Sequence, residues 1–234
     1  MIHSIPFSEH SVVLKCYTDV WGLQSFLVNG VHSKKGAIRP SQLQPLSLLE
    51  VEAYHRQEKN LQRLKELKCQ PVLQHLHFDV MKSAVGIFIS EVIHKSIKEE
   101  NHPETELFSF LYHSVQILDL QHESVTNFPV YFLVQFSKYL GFYPKGKFDA
   151  INTNFDIGEA TFVPEGATNR TLLPARLSRI LTELLESSYS DYHKIQMLGN
   201  ERSILMEWLI KFYMIHISNF PELKSHHVLR SVFE

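Results

Sequence analysis

The hydrophobic pattern of this chain changes at Asp79. Before this residue the apolar runs are short, rich in β-branched and aromatic side chains, and separated by turn residues. After it, apolar residues recur at helical spacing over long segments. Strand side chains repeat every second residue and helical ones about every 3.6 residues, so the change predicts strands followed by helices. We therefore expect an α+β protein with one domain at residues 1–76 and another at 77–234.

The first part predicts four or five strands. The stretches "SVVLKCYT" and "LQSFLVNG" have strand length and are joined by "DVWG". Asp19 and Gly22 in this junction suit a tight turn, so the two stretches predict a hairpin. An OB barrel is one fold for short, closely spaced strands, and such barrels often bind single-stranded nucleic acid along one face.

Two later stretches of the first part differ in how clearly their residue pattern predicts a strand. "PLSLLEVEAYH" alternates apolar and polar residues from Leu49 onward and predicts a strand with one solvated face. "NLQRLKELKC" is ambiguous. Leu61, Leu64 and Lys68 fit a helix, whereas Leu61, Arg63, Lys65 and Leu67 fit an alternating edge strand.

The second part predicts helices around one irregular segment. The first helix begins after Asp79 as its N-cap, the second is "ETELFSFLYHSVQILDL", and the third ends at Gly141. Residues 145–170 lack a helical period and predict an irregular insertion that includes a hairpin. Helical patterns then return in two stretches, "LPARLSRILTELLESS" and "GNERSILMEWLIKFYMIHI".

Basic residues are unevenly distributed along a chain whose net charge is −2. Residues 1–78 contain 9 Lys and Arg against 6 Asp and Glu, whereas residues 79–234 contain 14 against 19. Most of the basic residues of the first part lie between Lys34 and Lys68. They form either a solvated polar face or a surface that attracts a phosphate backbone.

Aromatic residues of the first part could stack on nucleic-acid bases, although packing in the barrel core is the alternative. The candidates are Tyr17, Trp21, Phe26 and Tyr54.

Metal sites, cofactor sites and covalent catalysis are not predicted. The pairs His75/His77 and His226/His227 lack a third ligand at matching spacing. With Cys16 and Cys69 as the two cysteines, counting excludes a disulfide framework and a four-thiolate zinc site. No GxSxG, GxxxxGK[ST] or GxGxxG motif is present. We therefore expect a protein that is not an enzyme and needs no cofactor, with a spatially assembled hydrolase site as the remaining catalytic alternative.

The N-terminal stretch "MIHSIPFSEH" has neither the basic nor the apolar region of a secretory signal. No uninterrupted apolar run approaches the roughly 20 residues that span a bilayer. We expect a cytoplasmic protein that does not interact with membranes.

Six stretches, taken in order over essentially the whole chain, resemble the RecO family of bacterial recombination mediators in its Bacteroidetes-like form. They are "YTDVWGLQSFLVNGVHSKKG", "LQPLSLLEVEAYH", "LQRLKE", "KSAVGIFISEVIHKSIKEE", "FLVQFSKYLGFYP" and "FPELKSHHVLRSVF". The resemblance implies an N-terminal OB barrel, with "NLQRLKELKC" as its last strand, and a helical C-terminal domain. It also implies a mediator of recombination and DNA repair that acts at the nucleoid.

The resemblance also implies a set of DNA-binding residues. The family's basic loop after the third strand falls on residues 30–35, where His32 stands in place of a usual arginine. Its basic positions fall on Lys34 and Lys35 in this loop and on Arg63 and Lys65 in the last strand. Arg39 and Arg56 are lesser candidates for phosphate contact.

The partners implied are single- and double-stranded DNA, RecR and the acidic C-terminal tail of the single-stranded DNA-binding protein, with RecF and RecA as further candidates. A pocket for the tail is expected in the helical domain, where a basic side chain meets a terminal carboxylate and an apolar recess takes an aromatic ring. The alternative is that these aromatics are helix core and these cations a solvated rim. The candidate residues are Phe132, Phe136, Lys138, Tyr139, Arg176 and Arg179.

Two departures from the family pattern affect these expectations. The zinc cysteines of many members are absent, because the corresponding region reads "FDAINTNFDIGEATFVP", so its fold must hold without metal. Met1 also falls where the family is already inside its first strand, so we expect either a short first strand with an exposed edge and a weaker barrel or a start codon misassigned upstream. A protein-interaction adaptor with little DNA affinity is the rival function.

Overall fold

The computed structural model describes residues 1–31, 38–56, 58–98, 103–168 and 170–233. These residues form two compact units, Met1–Leu120 and Gln121–Glu234. The first contains a five-stranded sheet and two helices, and the second contains four helices and a three-stranded sheet among its described residues. The first two helices thus group with the strands, whereas the domain boundary expected from the sequence lies after residue 76.

The sheet of the first unit has the strand order β1-β2-β3-β5-β4. β3 pairs with β5 in parallel, and the other neighbouring strands are antiparallel. The predicted hairpin is confirmed, with register from Ser11 opposite Asn29 to Thr18 opposite Gly22. Five short strands in this order are consistent with the OB barrel that the resemblance implies. The strands are β1 His3–Ser8, β2 Ser11–Thr18, β3 Gly22–Asn29, β4 Leu49–Tyr54 and β5 Leu61–Cys69.

Alternate residues of the strands fill the core of this sheet. In β2 the inward positions are Val12, Leu14 and Cys16, while the residues between them are half-buried on the outer face. Phe26 of β3 and Leu67 of β5 join the same core at 0% and 7% exposure. The period-two pattern thus assigns each strand an inner and an outer face.

β5 settles the ambiguity of "NLQRLKELKC". It is a strand, which confirms the last barrel strand that the resemblance implies, and the helix alternative is wrong. Because β5 lies between β3 and β4, it is a central strand and not the expected edge strand. A bulge also interrupts its alternation, because Glu52 pairs with Glu66 and Ala53 with Leu64. The extra residue, Lys65, lets Leu64 and Leu67 both pack against the core, which strict alternation would not allow.

β1 is a six-residue strand at one end of the sheet order. At its start, the Met1 amino group donates to Ser47 O at 2.7 Å and Leu46 N donates to Met1 O at 2.9 Å. The chain before β1 is therefore hydrogen-bonded to the segment that leads into β4.

Two helices, α1 Val80–Ser96 and α2 Thr105–Leu120, complete the first unit. The predicted N-cap is confirmed, since Asp79 Oδ1 accepts from Lys82 N at 2.9 Å. Near the end of α2, Asp119 is 2% exposed and accepts three backbone hydrogen bonds of 2.7 to 2.9 Å from residues 74–76. Burial raises the pKa of Asp119, but these hydrogen bonds outweigh it and hold the pKa below its ordinary value. The ionised carboxylate therefore fixes the strand-to-helix connection.

The second unit contains α3 Phe128–Tyr139, α4 Ala175–Glu186, α5 Gly199–His216 and α6 Ser225–Phe233. α3 ends as predicted, because Gly141 adopts a φ of 86° that suits glycine. Gly141 N then donates to Lys138 O at 3.4 Å and Phe142 N to Ser137 O at 3.2 Å, which satisfies the last carbonyls of the helix. The nine-residue α6 was not predicted from the hydrophobic pattern.

The irregular insertion contains the expected hairpin. β6 Asn154–Asp156 pairs with β7 Thr161–Val163, and β8 Leu172–Leu173 pairs with the other side of β6. Asp156, 2% exposed, accepts from Arg170 Nη1 at 2.7 Å and from Gly158 N at 2.9 Å. Phe155 packs against Phe162 at 5.0 Å between ring centroids. Among the described residues no group of three His, Cys, Asp or Glu side chains is placed to hold a metal.

Replacing Asp119 with alanine should lower the free energy of unfolding by about 2–4 kcal/mol, because three backbone N–H groups lose an ionised acceptor. Folding lowers this pKa, so the stabilisation is complete above an aspartate's usual pKa and is lost as pH falls through the lowered value. Urea denaturation at about pH 7 and about pH 3 measures both effects. Glu106→Gln, at an exposed position of α2, is the control, with a change below about 0.5 kcal/mol. An equal loss at both pH values would contradict the role of the carboxylate charge.

Arg170→Ala should destabilise the second unit by about 2 kcal/mol, because it leaves the buried Asp156 carboxylate without its cation. Arg230→Ala is the matched control, since Arg230 and Glu207 are both exposed at 3.7 Å and such pairs contribute about 0–1 kcal/mol. Thermal unfolding with and without a chelator provides the measurement, and the chelator should leave the melting temperature unchanged. A melting temperature that falls on chelation would contradict a metal-free insertion.

Candidate nucleic-acid interface

The outer face of the five-stranded sheet carries two neighbouring rows of side chains, which the strand register defines. Row one is His3, Lys15, Ser25 and Leu61, on β1, β2, β3 and β5. Row two is Ile5, Val13, Leu27, Arg63 and Tyr54, which crosses all five strands. Successive members of each row are direct cross-strand partners, so their side chains stand next to one another.

Row two is apolar at one end and ends in an arginine beside an aromatic ring. Ile5 and Tyr54 are 42% and 61% exposed, and Phe7, two residues beyond Ile5, is 62% exposed. Phe7 is the unpaired residue of a bulge between Pro6 and Ser8, so the strand register does not assign it to this face. The exposed Tyr54 ring beside Arg63 can stack on a nucleic-acid base while the arginine contacts the backbone. The sequence predicted Tyr54 and Arg63 as binding residues but not Ile5. The alternation of Ile5 and Phe7 with Ser4 and Pro6 did, however, indicate a strand at this position.

The basic residues of β5 differ in whether a carboxylate already neutralises them. Lys65 Nζ lies 2.6 Å from Glu52 Oε1, and Lys68 Nζ lies 3.1 Å from Glu50 Oε1. The hydrogen bond and charge of Glu52 raise the pKa of Lys65. Arg63, between them and the β4–β5 turn, makes no ion pair with any described carboxylate. It therefore presents a full positive charge.

The β4–β5 turn is organised by the side chain of Gln62, which is 2% exposed. Its amide accepts from Arg56 N at 2.8 Å and donates to Arg56 O at 2.9 Å and to Lys59 O at 2.5 Å. Beside the turn the rings of Trp21 and His55 stack at 4.4 Å. A hollow of about 200 Å³ opens here, lined by Leu23, Gln24, Ser25, His55, Lys59, Asn60 and Gln62. It reaches row one at Ser25 and holds donors suited to a phosphate.

The remaining predicted DNA-binding residues are distributed as follows. Lys34 and Lys35, with His32, lie outside the described residues. Arg56 is exposed at the β4–β5 turn, and Arg39 is exposed before the short helix Pro40–Gln42. Arg63 and Tyr54 are thus cross-strand partners at one end of the face, and Arg56 follows Tyr54 by two residues in the turn.

The candidate stacking residues other than Tyr54 have structural roles. Phe26 is fully buried in the core, and Trp21 is stacked on His55. The Tyr17 hydroxyl accepts a hydrogen bond from Glu104 N at 3.2 Å. Tyr54 is therefore the member of the sequence-based set that is free to meet a base.

The candidate tail-binding residues of the second unit do not form one surface. Phe132 and Phe136 are 1% and 0% exposed within the helix core and present nothing to a partner. Arg176 Nε is bound to Glu201 Oε1 at 2.9 Å, and the Arg179 guanidinium lies 5.5 Å from the Phe148 ring centroid. Lys138 is exposed and Tyr139 is half-buried.

Lys138 and Arg176 also lie at opposite ends of the packed helices α3 and α4. Gln135 Nε2 donates to Leu184 O at 3.0 Å, which places the last turn of α3 beside the last turn of α4. Arg176 is in the first turn of α4, eight residues earlier, which corresponds to about 12 Å along a helix. Lys138 and Arg176 therefore belong to different surface regions.

Two family models match this chain. The model described as Recombination protein O N terminal matches residues 1–71, and the one described as Recombination protein O C terminal matches residues 77–226. The chain belongs to the RecO family. The resemblance of the six stretches is thereby confirmed, and the five-stranded sheet is the OB fold of the RecO N-terminal domain.

Similar RecO proteins cover the chain from end to end. The "DNA repair protein RecO" of Flavobacterium psychrophilum is 35% identical over 237 residues, which span 100% of this chain and 96% of the relative. The proteins of the same description from Phocaeicola vulgatus and Bacteroides fragilis are 34% and 33% identical, again over 100% of this chain and 96% and 97% of theirs. This RecO family member is thus a DNA repair protein. Within the described residues no helix is long and apolar enough to cross a membrane.

Proposed function

We propose that this RecO family protein mediates homologous recombination and gap repair without a catalytic step or cofactor. It binds single- and double-stranded DNA, anneals complementary strands and, with RecR, helps load RecA onto DNA covered by the single-stranded DNA-binding protein. It acts in the cytoplasm at the nucleoid. The observation that supports DNA binding best is row two, where Arg63 and Tyr54 stand side by side on an exposed sheet face.

The face suits a single strand that runs across the β-strands. Five strands spaced by about 4.8 Å give row two a length of about 19 Å, which accommodates a short stretch of extended backbone. Tyr54 stacks on a base, while Arg56 and Arg63 hold phosphates. Stacking and phosphate contacts tolerate any sequence, as a mediator of general recombination requires.

Annealing follows from contacts that are weak and reversible. Cations on the face reduce the repulsion between two phosphate backbones and keep the strands close. Each base can leave its stacking partner once it finds a complementary base, because duplex pairing replaces the protein contact. A surface with a few free arginines can therefore hold strands without trapping them.

The adaptor function is the second candidate, and the β4–β5 ion pairs favour it. Glu50 and Glu52 neutralise Lys68 and Lys65, which removes two charges from the face. Were the remaining cations too few to hold DNA, the protein would act by connecting RecR and the single-stranded DNA-binding protein.

Arg63→Gln should weaken binding of a labelled oligothymidylate and lower the slope of log K against log salt by about 0.7, the value for one single-strand phosphate contact. Lys68→Gln is the matched control from the same strand, and its loss should be smaller because Glu50 already pairs with Lys68. Fluorescence anisotropy across a salt series measures both. No wild-type binding at low salt would support the adaptor function instead.

Tyr54→Ala should weaken the same binding by about 1–3 kcal/mol, the range for loss of one stacked base, and leave the salt slope unchanged. Because Tyr54 is 61% exposed, the fold should tolerate the change. A reduced salt slope in this variant would show that the residue acts through the backbone charges and not through stacking. Complementary-strand annealing, followed by energy transfer between labelled strands, should slow in parallel with the loss of affinity.

For the tail of the single-stranded DNA-binding protein, the end of α3 is the stronger candidate, because Arg176 and Arg179 already contact Glu201 and Phe148. Lys138→Ala should weaken binding of a labelled tail peptide, whereas Arg179→Ala should leave it close to wild type. Lys211→Ala, an exposed lysine of α5, controls for net charge. If Arg179→Ala weakened tail binding and Lys138→Ala did not, the site would lie on α4 near Arg179 instead. Membership of the RecO family also supports RecR as a partner, with RecF and RecA as further candidates.

A further inference from the structure

The hollow at the β4–β5 turn has a flat aromatic wall. The rings of Trp21 and His55 stack with their centroids 4.4 Å apart and an interplanar angle of 2°. His55 lines the hollow and Trp21 does not, so the Trp21 ring lies behind the His55 ring as seen from the hollow. A further flat ring on the open side of His55 would continue this stack, as a nucleobase does on the aromatic side chains of proteins that bind single strands.

The walls of the hollow are held in place by hydrogen bonds to the backbone. Gln62 accepts from Arg56 N and donates to Arg56 O and to Lys59 O, so its carboxamide is fully used within the turn. On the opposite wall, Gln24 Nε2 donates to Trp21 O at 3.3 Å. The hollow is therefore formed before any ligand arrives, and binding does not have to order it.

The remaining side chains of the hollow offer hydrogen bonds of both kinds. Gln24 and Asn60 carry carboxamides, each with a donor and an acceptor, and Ser25 carries a hydroxyl. The side chains of Asn60 and Ser25 form no hydrogen bond with any described residue, so both are available to a ligand. The edge of a base presents donors and acceptors, whereas a phosphate presents acceptors alone. The lining therefore suits the edge of a base, and the ammonium group of Lys59 suits the phosphate of the same nucleotide.

The hollow adjoins the stacking position that Tyr54 provides. Tyr54 and His55 are consecutive residues, so their Cα atoms are about 3.8 Å apart. Tyr54 belongs to row two, and Ser25, which lines the hollow, belongs to row one. A strand that stacks one base on Tyr54 can therefore place a neighbouring base in the hollow without leaving the sheet face.

The size of the hollow fits one base. Its volume of about 200 Å³ is that of about six or seven water molecules in the liquid. This is room for one flat ring system, but not for a base together with its paired partner. A base in a duplex also lies between its stacked neighbours with its pairing edge occupied, so it cannot enter such a site.

We propose that the hollow binds one unpaired nucleobase of a DNA strand, with the base ring on His55, the base edge on Gln24 and Asn60, and the phosphate near Lys59. The inference rests on the proposed DNA binding and deepens it, because it assigns a preference between strands. The hollow favours single-stranded DNA over a duplex. It also releases the strand during annealing, because a complementary base takes over the edge that the hollow was holding.

The test compares the affinity for a labelled oligothymidylate with the affinity for a duplex of the same length, both measured by fluorescence anisotropy at low salt. Asn60→Ala should lower the affinity for the single strand by about 5-fold, because one hydrogen bond to the base edge is lost, and leave the affinity for the duplex unchanged. His55→Ala removes the stacking wall and should lower the affinity for the single strand by about 5-fold or more, again without effect on the duplex. The ratio of the two affinities therefore reports on the hollow.

Matched controls keep this ratio. Asn29→Ala removes another exposed asparagine, at the other end of β3, and His113→Ala removes an exposed histidine of α2 in the same unit. Because His55 is half-buried against Trp21, thermal melting is measured for each variant. The exposed Asn60 carries the test if His55→Ala fails to fold.

Photo-crosslinking gives a second measurement that does not depend on affinity. One thymidine of the oligonucleotide is replaced with 5-iododeoxyuridine, and the crosslinked residue is identified by fragmentation of the peptide in a mass spectrometer. A crosslink at His55 is expected beside one at Tyr54. The duplex should give no crosslink at His55.

The outcomes distinguish this inference from the proposed function. Wild-type protein that binds neither DNA at low salt overturns both. Binding that depends on Arg63, with an unchanged affinity ratio in Asn60→Ala, overturns the base site alone. An equal loss for single strand and duplex in Asn60→Ala indicates a phosphate contact and also overturns the base site. A lowered ratio in Asn60→Ala together with a crosslink at His55 establishes it.

Discussion

The parallel pairing of β5 with β3 determines what the outer face of the sheet can do. It inserts β5 between β3 and β4, so that Arg63 has Leu27 on one side and Tyr54 on the other. Without this crossover, Tyr54 and Leu27 would belong to separated strands, and row two would not exist. The buried Gln62 supports the same arrangement, because its side chain fixes the turn that returns the chain from β4 to β5. The position of one strand thus unites apolar, aromatic and cationic groups from all five strands.

Local sequence signals predicted much of the fold because the interactions behind them are local. Asp79 caps α1 through a residue three positions ahead, and Gly141 ends α3 through its own φ angle. The central position of β5 could not be read from its sequence, because edge and central strands share the same period. Its bulge at Lys65 was equally hidden, since it is defined only by the pairing with β4. Nine residues were too few for α6 to show a helical period, and membership of the family, not periodicity, decided that "NLQRLKELKC" is a strand.

Those residues of the candidate site whose role does not depend on a neighbouring side chain could be predicted from the sequence. Arg63 and Tyr54 were identified from residue type and resemblance, and both are exposed on the face. Whether a lysine is free depends on its cross-strand neighbour, so Glu50 and Glu52 could not be assigned to Lys68 and Lys65 beforehand. Residue type was equally uninformative for Phe132 and Phe136, because an aromatic side chain suits a helix core as well as a binding pocket. Whether such a ring is buried or exposed depends on how the whole chain packs, which the residue type alone does not reveal.

In the proposed function, ion pairs on the sheet and base stacking together determine how tightly the protein holds a DNA strand. Two ion pairs on β4 and β5 remove positive charge from the face, and this lowers attraction to any phosphate backbone without affecting the exposed rings. In the proposed function the remaining affinity for DNA depends on a few arginines and on stacking, which a forming duplex can displace base by base. A mediator that bound strands through many free lysines would hold them against pairing and against transfer to RecA. In the proposed function the acidic residues beside the basic strand therefore belong to the mechanism, because they keep DNA binding reversible.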